Sequence, residues 1–264
     1  MDYGIRGRKA LVTGSTAGIG LATARALAAE GALVTVNGRT AERVDHAIER
    51  IRQEVAGATV NGIPADLATA DGCATVTGQL QDLDILVNSL GIFEPKPFEE
   101  ITDADWMRFF ETNVLSGIRL TRHYLPGMRA RNWGRVVFVS SESALQIPTE
   151  MMHYGMTKTA QLAVARGLAE TLAGTGVTVN SVLPGPTDSE GVGGFFAQVA
   201  AQMGVDREVV VNDFFKNARP SSILKRFATP DEVAAMIAYV CSAQASATTG
   251  AALRVDGGVV RSIV

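Results

Sequence analysis

Short apolar, β-branched runs alternate with longer segments that carry apolar residues at helical spacing in the first part of the chain. The short runs are typical of buried strands, and the Ala- and Leu-rich segments are typical of amphipathic helices. The predicted strands are KALVT from Lys9, ALVTVNGR from Ala32, ATVNGIPADL from Ala58 and LDILVNSLG from Leu83. The predicted helices are LATARALAAEG, which ends at Gly31, TAERVDHAIERIRQEV, which Thr40 caps, and a weaker stretch from Asp71 to Leu80.

The second half of the chain continues the alternation. Its predicted elements are a helix from about Thr102 to Met128, the strand GRVVFVS from Gly134, a helix around Tyr154, the strand VTVNSVLPG from Val177, a helix from Thr229 and a last strand, GAALRVDGG, from Gly250. Such alternation predicts an α/β fold in which helices cover both faces of a parallel sheet. The length of 264 residues and the 47% hydrophobic content suit one domain over residues 1–264.

The regular pattern is interrupted between Thr187 and Lys225. This segment is rich in aromatic and small residues and is long for a connection within a compact domain. We therefore predict a substrate lid at about 187–225.

The composition argues against several classes of binding partner. The net charge of -3 and the pI near 5.7 offer no general attraction for nucleic acid or an anionic membrane. Cys73 and Cys241 are too few and too far apart for a zinc signature or a disulfide framework, so we expect no metal site and a reducing compartment. The beginning of the chain lacks a signal-peptide pattern, and no apolar stretch approaches the ~20 residues of a membrane span. These features predict a cytoplasmic protein.

A glycine-rich loop follows the first predicted strand. Gly14, Gly18 and Gly20 have the spacing GxxxGxG directly before a predicted helix. Glycines at such a junction allow a tight turn and close approach of a pyrophosphate to the helix N-terminus. A glycine-rich turn without a ligand is the alternative interpretation.

Arg39 stands at the end of the second predicted strand, where an acidic residue would grip the adenine ribose of NAD. A guanidinium can instead pair with a 2'-phosphate, so Arg39, helped by Arg43, favours NADP(H). An ordinary solvated arginine is the alternative at this position, and NAD(H) is the alternative cofactor.

Three residues have spacing that suits proton transfer coupled to reduction of a carbonyl. Tyr154 and Lys158 lie one helical turn apart and therefore project from one face, while Ser141 stands at the end of the strand that begins at Gly134. A cation beside a phenol lowers its pKa from about 10, so Lys158 is expected to favour the phenolate of Tyr154. Ser141 could hold the substrate oxygen. Tyr and Lys at this spacing also occur on many solvated helices.

Five motifs in register resemble the classical short-chain dehydrogenase/reductase family over nearly the whole chain. They are TGSTAGIG at Thr13 to Gly20, Asn113 in ETNV, Ser141, YGMTK at Tyr154 to Lys158, and PGPT at Pro184 to Thr187. The resemblance implies a Rossmann-type sheet of seven strands, a nicotinamide cofactor and hydride transfer between that cofactor and a carbonyl or alcohol carbon. It also implies a homotetramer or homodimer formed through the helices beginning near Asp103 and Met152 and through the last strand.

The resemblance also assigns roles to individual residues. Tyr154 is similar to the family's acid/base, Ser141 to its substrate-orienting serine, Lys158 to its ribose ligand, and Asn113 to the asparagine that supports a water relay. The cofactor-binding residues implied are Gly14, Ser15, Thr16, Gly18, Ile19, Gly20, Arg39, Asp66, Leu67, Asn88, Gly91, Tyr154, Lys158, Pro184, Gly185, Thr187 and Ser189. Thr187 and Ser189 are both candidates for the nicotinamide carboxamide. Ser89 and Leu90 depart from the family's NNAG motif, which leaves local hydrogen bonding there open.

Several neighbouring residues are left without a catalytic role. His153 adjoins Tyr154 but points elsewhere on the helix, so we expect it in a wall or at the surface. Arg207, Lys216 and Arg219 could meet an acidic substrate, but charges in a lid are usually solvated, and we expect these three to be so. The lid phenylalanines line a substrate pocket or form part of a core or an interface, with equal support for each; they are Phe195, Phe196, Phe214 and Phe215.

The sequence therefore predicts an NADP(H)-preferring oxidoreductase acting on a carbonyl or alcohol group of a small or medium organic molecule. One alternative is a non-catalytic NADP(H)-binding sensor or scaffold, because a fold alone does not imply catalysis. Another is an epimerase or dehydratase that recycles its cofactor and shows no net change in reduced nicotinamide.

Overall fold

A computed structural model describes residues 2–263 as one seven-stranded parallel sheet flanked by helices. The strands are β1 (Lys9–Val12), β2 (Leu33–Gly38), β3 (Val60–Pro64), β4 (Ile85–Asn88), β5 (Gly134–Val139), β6 (Val177–Pro184) and β7 (Ala252–Val255). The strand order is β3-β2-β1-β4-β5-β6-β7. The prediction of a doubly wound, Rossmann-type sheet of about seven strands is confirmed.

The helices occupy the connections between the strands. They are α1 (Gly18–Ala29), α2 (Ala41–Glu54), α3 (Ala70–Gln79), α4 (Asp103–Phe110), α5 (Ser116–Ala130), α6 (Met152–Thr171), α7 (Glu190–Met203), α8 (Arg207–Asp213) and α9 (Pro230–Val240). None of the helices in the described part of the chain is long and apolar enough to cross a membrane.

Each face of the sheet carries its own apolar core. On one face, Leu27 of α1, Ile51 of α2 and Ile237 of α9 pack on the valines of the central strands. On the other face, the side chains come from α3, α5 and α6. Strands buried on both faces need apolar residues at successive positions, which is why they appear in the sequence as continuous apolar runs.

Two segments differ from the sequence prediction. The helix expected from Thr102 to Met128 is helical throughout, but a π-helical turn over Glu111–Leu115 divides it into α4 and α5. The irregular segment at 187–225 contains α7, α8 and a second π-helical turn, Phe214–Ala218. Its helical periodicity was obscured by closely spaced glycines and phenylalanines.

The four phenylalanines of the 187–225 segment differ in how deeply they are buried. Phe196 and Phe215 are buried with Phe227 in a small cluster, and Phe214 packs against it, whereas Phe195 is 49% exposed. The core interpretation therefore holds for three of the four, and Phe195 alone among them presents its ring to solvent. This cluster gives the 187–225 segment an apolar core of its own.

Candidate functional site

The sheet reverses its winding between β1 and β4, and the loops that follow these two strands meet there. Thr13, directly after β1, accepts hydrogen bonds through Oγ1 from the backbone N–H of Ser89 at 2.9 Å and of Leu90 at 3.0 Å. Ligands of open α/β sheets bind at such a switch point, outside the carboxyl ends of the strands. Thr13 thus fixes the two loops that border the expected site.

The glycine loop has a shape that only glycine allows at two positions. Gly14 has φ +60°, and a Cβ on Gly20 would lie 2.4 Å from the carbonyl oxygen of Gly14. The α1 N-cap, Ala17, offers no side-chain hydrogen bond, and the first turn of α1 has no acidic residue. The uncapped N–H groups and the positive end of the helix dipole therefore suit a phosphate.

The side chain of Ser15 is used within the protein. Its Oγ donates to the carbonyl oxygen of Val12 at 2.6 Å and accepts from the backbone N–H of Asn37 at 2.9 Å. Because its hydroxyl is already hydrogen-bonded, Ser15 can offer a cofactor only its backbone groups. Thr16 and Ile19 are both half-buried beside it.

Arg39 follows β2 and lies at the surface close to the glycine loop. Asn37, two residues earlier, accepts a hydrogen bond through Oδ1 from the backbone N–H of Gly14 at 3.3 Å, which ties the end of β2 to that loop. Arg39 is exposed and makes no hydrogen bond or ion pair within residues 2–263. Arg43 lies 3.7 Å from Glu190 of α7. Arg39 is therefore the freer of the two guanidinium groups.

The ends of β3 and β4 carry four of the implied cofactor residues. Asp66 is exposed and accepts a hydrogen bond from the backbone N–H of Ala68 at 3.1 Å, whereas the Leu67 side chain is buried in the core. Asn88 is buried and its Oδ1 has no partner among the described residues. A Cβ on Gly91 would lie 3.3 Å from Lys158 Nζ. The loop after β4 therefore runs directly past the lysine.

The loop after β6 holds the remaining implied cofactor residues, Pro184, Gly185, Thr187 and Ser189. Thr187 is buried and donates through Oγ1 to the carbonyl oxygen of Gly185 at 2.9 Å. Ser189 is the N-cap of α7, and its Cβ would lie 3.2 Å from a Cβ on Gly18. Ser189 is thus beside the glycine loop, and both hydroxyls remain candidates for the carboxamide.

Ser141, Tyr154 and Lys158 converge at the carboxyl end of β5. Ser140, the residue after β5, donates through Oγ to the carbonyl oxygen of Lys158 at 2.9 Å and thereby joins the strand end to α6. Lys158 Nζ lies 5.5 Å from the ring centroid of Tyr154. The hydroxyl of Ser141 is close enough to the phenol to lower its pKa. The structure therefore brings the three predicted residues together.

The pKa of Tyr154 is raised to about 12, chiefly because the phenol is desolvated by burial. Ser141 opposes this rise through its hydroxyl, the charge of Glu142 adds to it, and Arg219 opposes it. The prediction that Lys158 lowers the pKa of Tyr154 is wrong for this arrangement. The ammonium donates its hydrogen bonds to Val139 and Gln161, and burial dominates the pKa of the phenol.

Lys158 is 4% exposed. Burial alone lowers its pKa to about 7, because desolvation disfavours the charged form. Its Nζ donates to the carbonyl oxygen of Val139 at 2.9 Å and to Gln161 Oε1 at 3.4 Å. Gln161 was not singled out from the sequence, although it shares a helix face with Tyr154 and Lys158 at positions i+7 and i+3.

Asn113 lies in the first π-helical turn and is 1% exposed. Its Oδ1 accepts from the backbone N–H of Ile92 at 2.8 Å, and its Nδ2 donates to Thr157 Oγ1 at 2.9 Å. Single π turns within helices often occur at functional sites. Here the turn and α6 are linked by the Asn113 amide.

Arg219 is not a solvated lid charge, which corrects the sequence prediction. It is 8% exposed and donates through Nε to Glu142 Oε1 at 3.0 Å and through Nη1 to Glu150 Oε1 at 3.2 Å. Arg207 and Lys216 are exposed as expected. The signal that was missed is Glu142, an acidic residue in the loop after β5 that directly follows the catalytic candidate Ser141.

His153 forms part of a buried wall. It is fully buried, its ring centroid lies 4.0 Å from that of Phe109 and 6.0 Å from that of Trp106, and neither ring nitrogen has a partner among the described residues. On the outer side of the site, the Phe93 ring meets the Tyr154 ring edge-on at 6.4 Å. The ring therefore lies in a wall of the site, one of the two positions that the sequence predicts for His153.

Comparisons with known proteins agree with this architecture. The family model described as enoyl-(acyl carrier protein) reductase matches residues 14–260. The uncharacterized oxidoreductase YvrD of Bacillus subtilis (strain 168) is 45% identical over 267 residues and is matched over 100% of both chains.

Two solved structures extend the comparison. L-sorbose reductase from Gluconobacter frateurii, complexed with NADPH and L-sorbose, superposes with a TM-score of 0.94 at 30% identity and 100% coverage of both chains. A short chain dehydrogenase/reductase family protein superposes with a TM-score of 0.83 at 34% identity and 98% coverage of both chains. The chain therefore belongs to the short-chain dehydrogenase/reductase family and is an NAD(P)-dependent oxidoreductase.

Proposed function

We propose that this protein is an NADP(H)-dependent reductase that converts a ketone of a small or medium organic molecule to an alcohol. The observation that carries the proposal is the convergence of Ser141, Tyr154 and Lys158 at the carboxyl end of β5. A non-catalytic sensor would have no need for a phenol, a hydroxyl and an ammonium at one point beside a glycine loop.

The cofactor would lie across the switch point of the sheet. The uncapped start of α1 suits its pyrophosphate, and the exposed, unpaired Arg39 suits a 2'-phosphate through charge-assisted hydrogen bonds. Lys158, Asn88 and the backbone around Gly91 would border the inner part of the cofactor site. The similar L-sorbose reductase was solved with NADPH, which also supports this choice over NAD(H).

When bound, a reduced nicotinamide supplies the hydride. Within the chain, the hydroxyl of Ser141 would hold the carbonyl oxygen of the substrate, and Tyr154 would donate its phenolic proton to that oxygen as negative charge develops. Lys158 would hold the cofactor ribose and stabilise the phenolate left after proton transfer. Asn113 would hold α6 in register with the loop after β4 through its contacts to Ile92 and Thr157.

The protonation state of Tyr154 suits the acid role that ketone reduction requires. With a pKa of about 12, the phenol carries its proton at neutral pH and is ready to act as an acid. Alcohol oxidation requires the deprotonated form, and its rate should therefore rise with pH. Ketone reduction does not need that deprotonation.

The segment 187–225 would form the lid over the substrate. Phe93 presents an exposed apolar ring beside Tyr154, whereas Glu142 and Arg219 place a buried ion pair near the phenol. Such a cleft suits an uncharged ketone with both apolar and hydroxyl-bearing parts, because the ion pair can exchange hydrogen bonds with hydroxyl groups.

The proposal is tested by incubating the purified protein with NADPH and a panel of ketones, and following the loss of NADPH absorbance. The panel holds ketoses, simple ketones, β-ketoacyl thioesters, steroids and quinones. We expect at least one hydroxyketone to be reduced, with the corresponding alcohol formed in an amount equal to the NADPH consumed. Product formed without net NADPH loss would point to an epimerase or dehydratase instead.

We also infer that the protein is cytoplasmic and self-associates as a homotetramer or homodimer. Between α5 and α6 lies a surface groove of about 420 Å³. Half-buried apolar side chains line it, including Ile118, Leu125, Val164 and Leu168. An apolar groove of this kind can bury itself against a second copy. Light scattering of the purified protein tests this inference, and a monomeric mass would contradict it.

A further inference from the structure

Gln161 uses both ends of its side-chain amide inside the protein. It is 1% exposed, its Nε2 donates to the carbonyl oxygen of Asn113 at 2.6 Å, and its Oε1 accepts from Lys158 Nζ at 3.4 Å. The two contacts fix the amide in one orientation, because only its NH₂ can face a carbonyl oxygen and only its oxygen can face an ammonium.

The bridge joins two elements that come from distant parts of the sequence. Asn113 belongs to the π-helical turn between α4 and α5, and Lys158 belongs to α6. The main chain of Asn113 therefore contacts α6 through Gln161, in addition to the contact that its side chain makes with Thr157. A leucine at position 161 would fill the space and could make neither contact.

The ammonium of Lys158 has few stabilising partners. Its acceptors are the neutral oxygens of Val139 and Gln161. The titratable group facing it from its own helix is Tyr154. No charged side chain of any neighbouring element contributes to the lysine pKa within residues 2–263. The charges of the loop after β5 and of the lid act on Tyr154 instead.

We propose that Gln161 is a positioning residue of this site, whose amide bridges the ammonium of Lys158 to the main chain of Asn113. The bridge stabilises the charged form of the buried lysine and fixes its ammonium beside the loop after β4. The inference rests on the proposed function for its catalytic meaning, but the bridge itself can be tested in the protein without turnover.

Two replacements of Gln161 should shift the pKa of Lys158 in opposite directions. Gln161→Met is close in size and removes an acceptor, so it should lower the lysine pKa by about one pH unit, the scale of one hydrogen bond to a charged group. Gln161→Glu places a carboxylate beside the ammonium and should raise that pKa.

The first readout is stability, measured as the melting temperature of each variant between pH 5.5 and 9, in steps of about half a pH unit. The loss caused by Gln161→Met should be largest at low pH, where the folded protein holds a charged lysine, and should shrink as pH rises through about 7. Gln161→Glu should become relatively more stable as pH falls through the same range. A role in packing alone would give a loss that does not vary with pH.

Two controls test whether the pH dependence comes from Lys158. In a Lys158→Met background, the pH dependence of the Gln161→Met effect should disappear, because the titrating group is gone. Gln79→Met makes the same chemical change at an exposed position of α3 and should show no pH-dependent loss. A pH-independent loss for Gln161→Met, or a pH dependence that persists without Lys158, would overturn the proposal.

The second readout is the pH profile of kcat/KM for a ketone that the protein reduces. If the charged lysine is required, the fall in activity at high pH should move to lower pH by about one pH unit in Gln161→Met. In Gln161→Glu it should move to higher pH. Unmoved profiles in both variants would also contradict the proposal. If no ketone is reduced, the proposed function fails, whereas the stability readout still decides the bridge.

Discussion

Arg219 Nε donates a hydrogen bond to Glu142 Oε1 at 3.0 Å, and this contact attaches the 187–225 segment to the loop that carries Ser141. Arg219 directly follows the π-helical turn Phe214–Ala218, and Glu142 directly follows Ser141. The two side chains are only 10% and 5% exposed. Burial raises the pKa of Glu142, and Arg219 opposes that rise. The contact therefore connects the 187–225 segment to the residue beside Ser141.

We predict that Arg219→Met loosens this attachment. The substitution leaves the Glu142 carboxylate buried without its cation, and breaking a buried pair in this way costs about 3–5 kcal/mol. We expect a lower free energy of unfolding in urea and a higher KM for the ketone, because the lid no longer closes over the substrate. Unfolding and steady-state kinetics measure the two effects.

Arg226→Met is the matched control, because Arg226 pairs with Glu232 at 2.7 Å on the surface, where their side chains are 52% and 43% exposed. An exposed pair contributes below about 1 kcal/mol. If the two variants lost equal stability and kept the same KM, the buried pair would have no special role.

We predict that Tyr154→Phe lowers kcat at least 100-fold, at the lower end of the roughly 10²–10⁴-fold contribution of general acid catalysis. The substitution removes the proton donor and almost no volume, so binding of NADPH, followed by its fluorescence, should stay nearly unchanged. Turnover within a few-fold of the wild type would show that another group donates the proton.

Tyr124→Phe provides the control for loss of a buried tyrosine hydroxyl. Tyr124 donates to the carbonyl oxygen of Leu80 at 2.8 Å on the far side of the sheet from the glycine loop's helix. Its loss should reduce stability by about 0.5–1.5 kcal/mol and leave kcat unchanged. A fall in kcat as large as that of Tyr154→Phe would mean that general destabilisation accounts for both.

The fold could be predicted from the sequence because its strands are buried on both faces and its helices are amphipathic, so the two periodicities are distinct. The grouping of Ser141, Tyr154 and Lys158 could be predicted because the last two share a helix turn and the first follows a strand. Local spacing alone would also fit a solvated helix, so the roles of these residues depend on the five motifs in register.

What the sequence could not give depends on contacts between distant segments. The partner of Arg219 is 77 residues away in the chain, and the amide of Gln161 contacts a carbonyl oxygen 48 residues away. The raised pKa of Tyr154 follows from burial, which spacing does not reveal. The same limit explains why the spacing predicts that Lys158 lowers the pKa of Tyr154, although the lysine donates its hydrogen bonds to Val139 and Gln161.

We predict that Arg39 sets the preference for NADPH. Arg39→Ala removes the charge expected at the 2'-phosphate and should weaken NADPH binding by about 10–100-fold, the scale of a charge-assisted hydrogen bond, while NADH binding changes little. Fluorescence titrations of both cofactors measure this difference. Arg50→Ala, which removes another exposed arginine paired within α2, should leave both affinities unchanged. Equal weakening of NADPH and NADH by Arg39→Ala would refute the assignment.

Finally, we predict that His153 limits stability in acid. Burial lowers its pKa in the folded protein, and neither ring nitrogen has a partner among the described residues. The histidine of the unfolded chain titrates near pH 6.5, so the contribution of neutral His153 to the free energy of unfolding should be fully present above that pH. It should fall as pH drops toward the lower folded pKa, by at most about 1.4 kcal/mol per pH unit. His153→Leu should remove this component, so the stability of the variant relative to the wild type should rise below about pH 6.5.

His46→Leu makes the same change at an exposed position and should not reproduce the effect. Urea unfolding at pH 5, 6 and 8 measures the free energy of unfolding of each protein. Parallel pH curves for the wild type and His153→Leu would show that the buried ring does not oppose protonation.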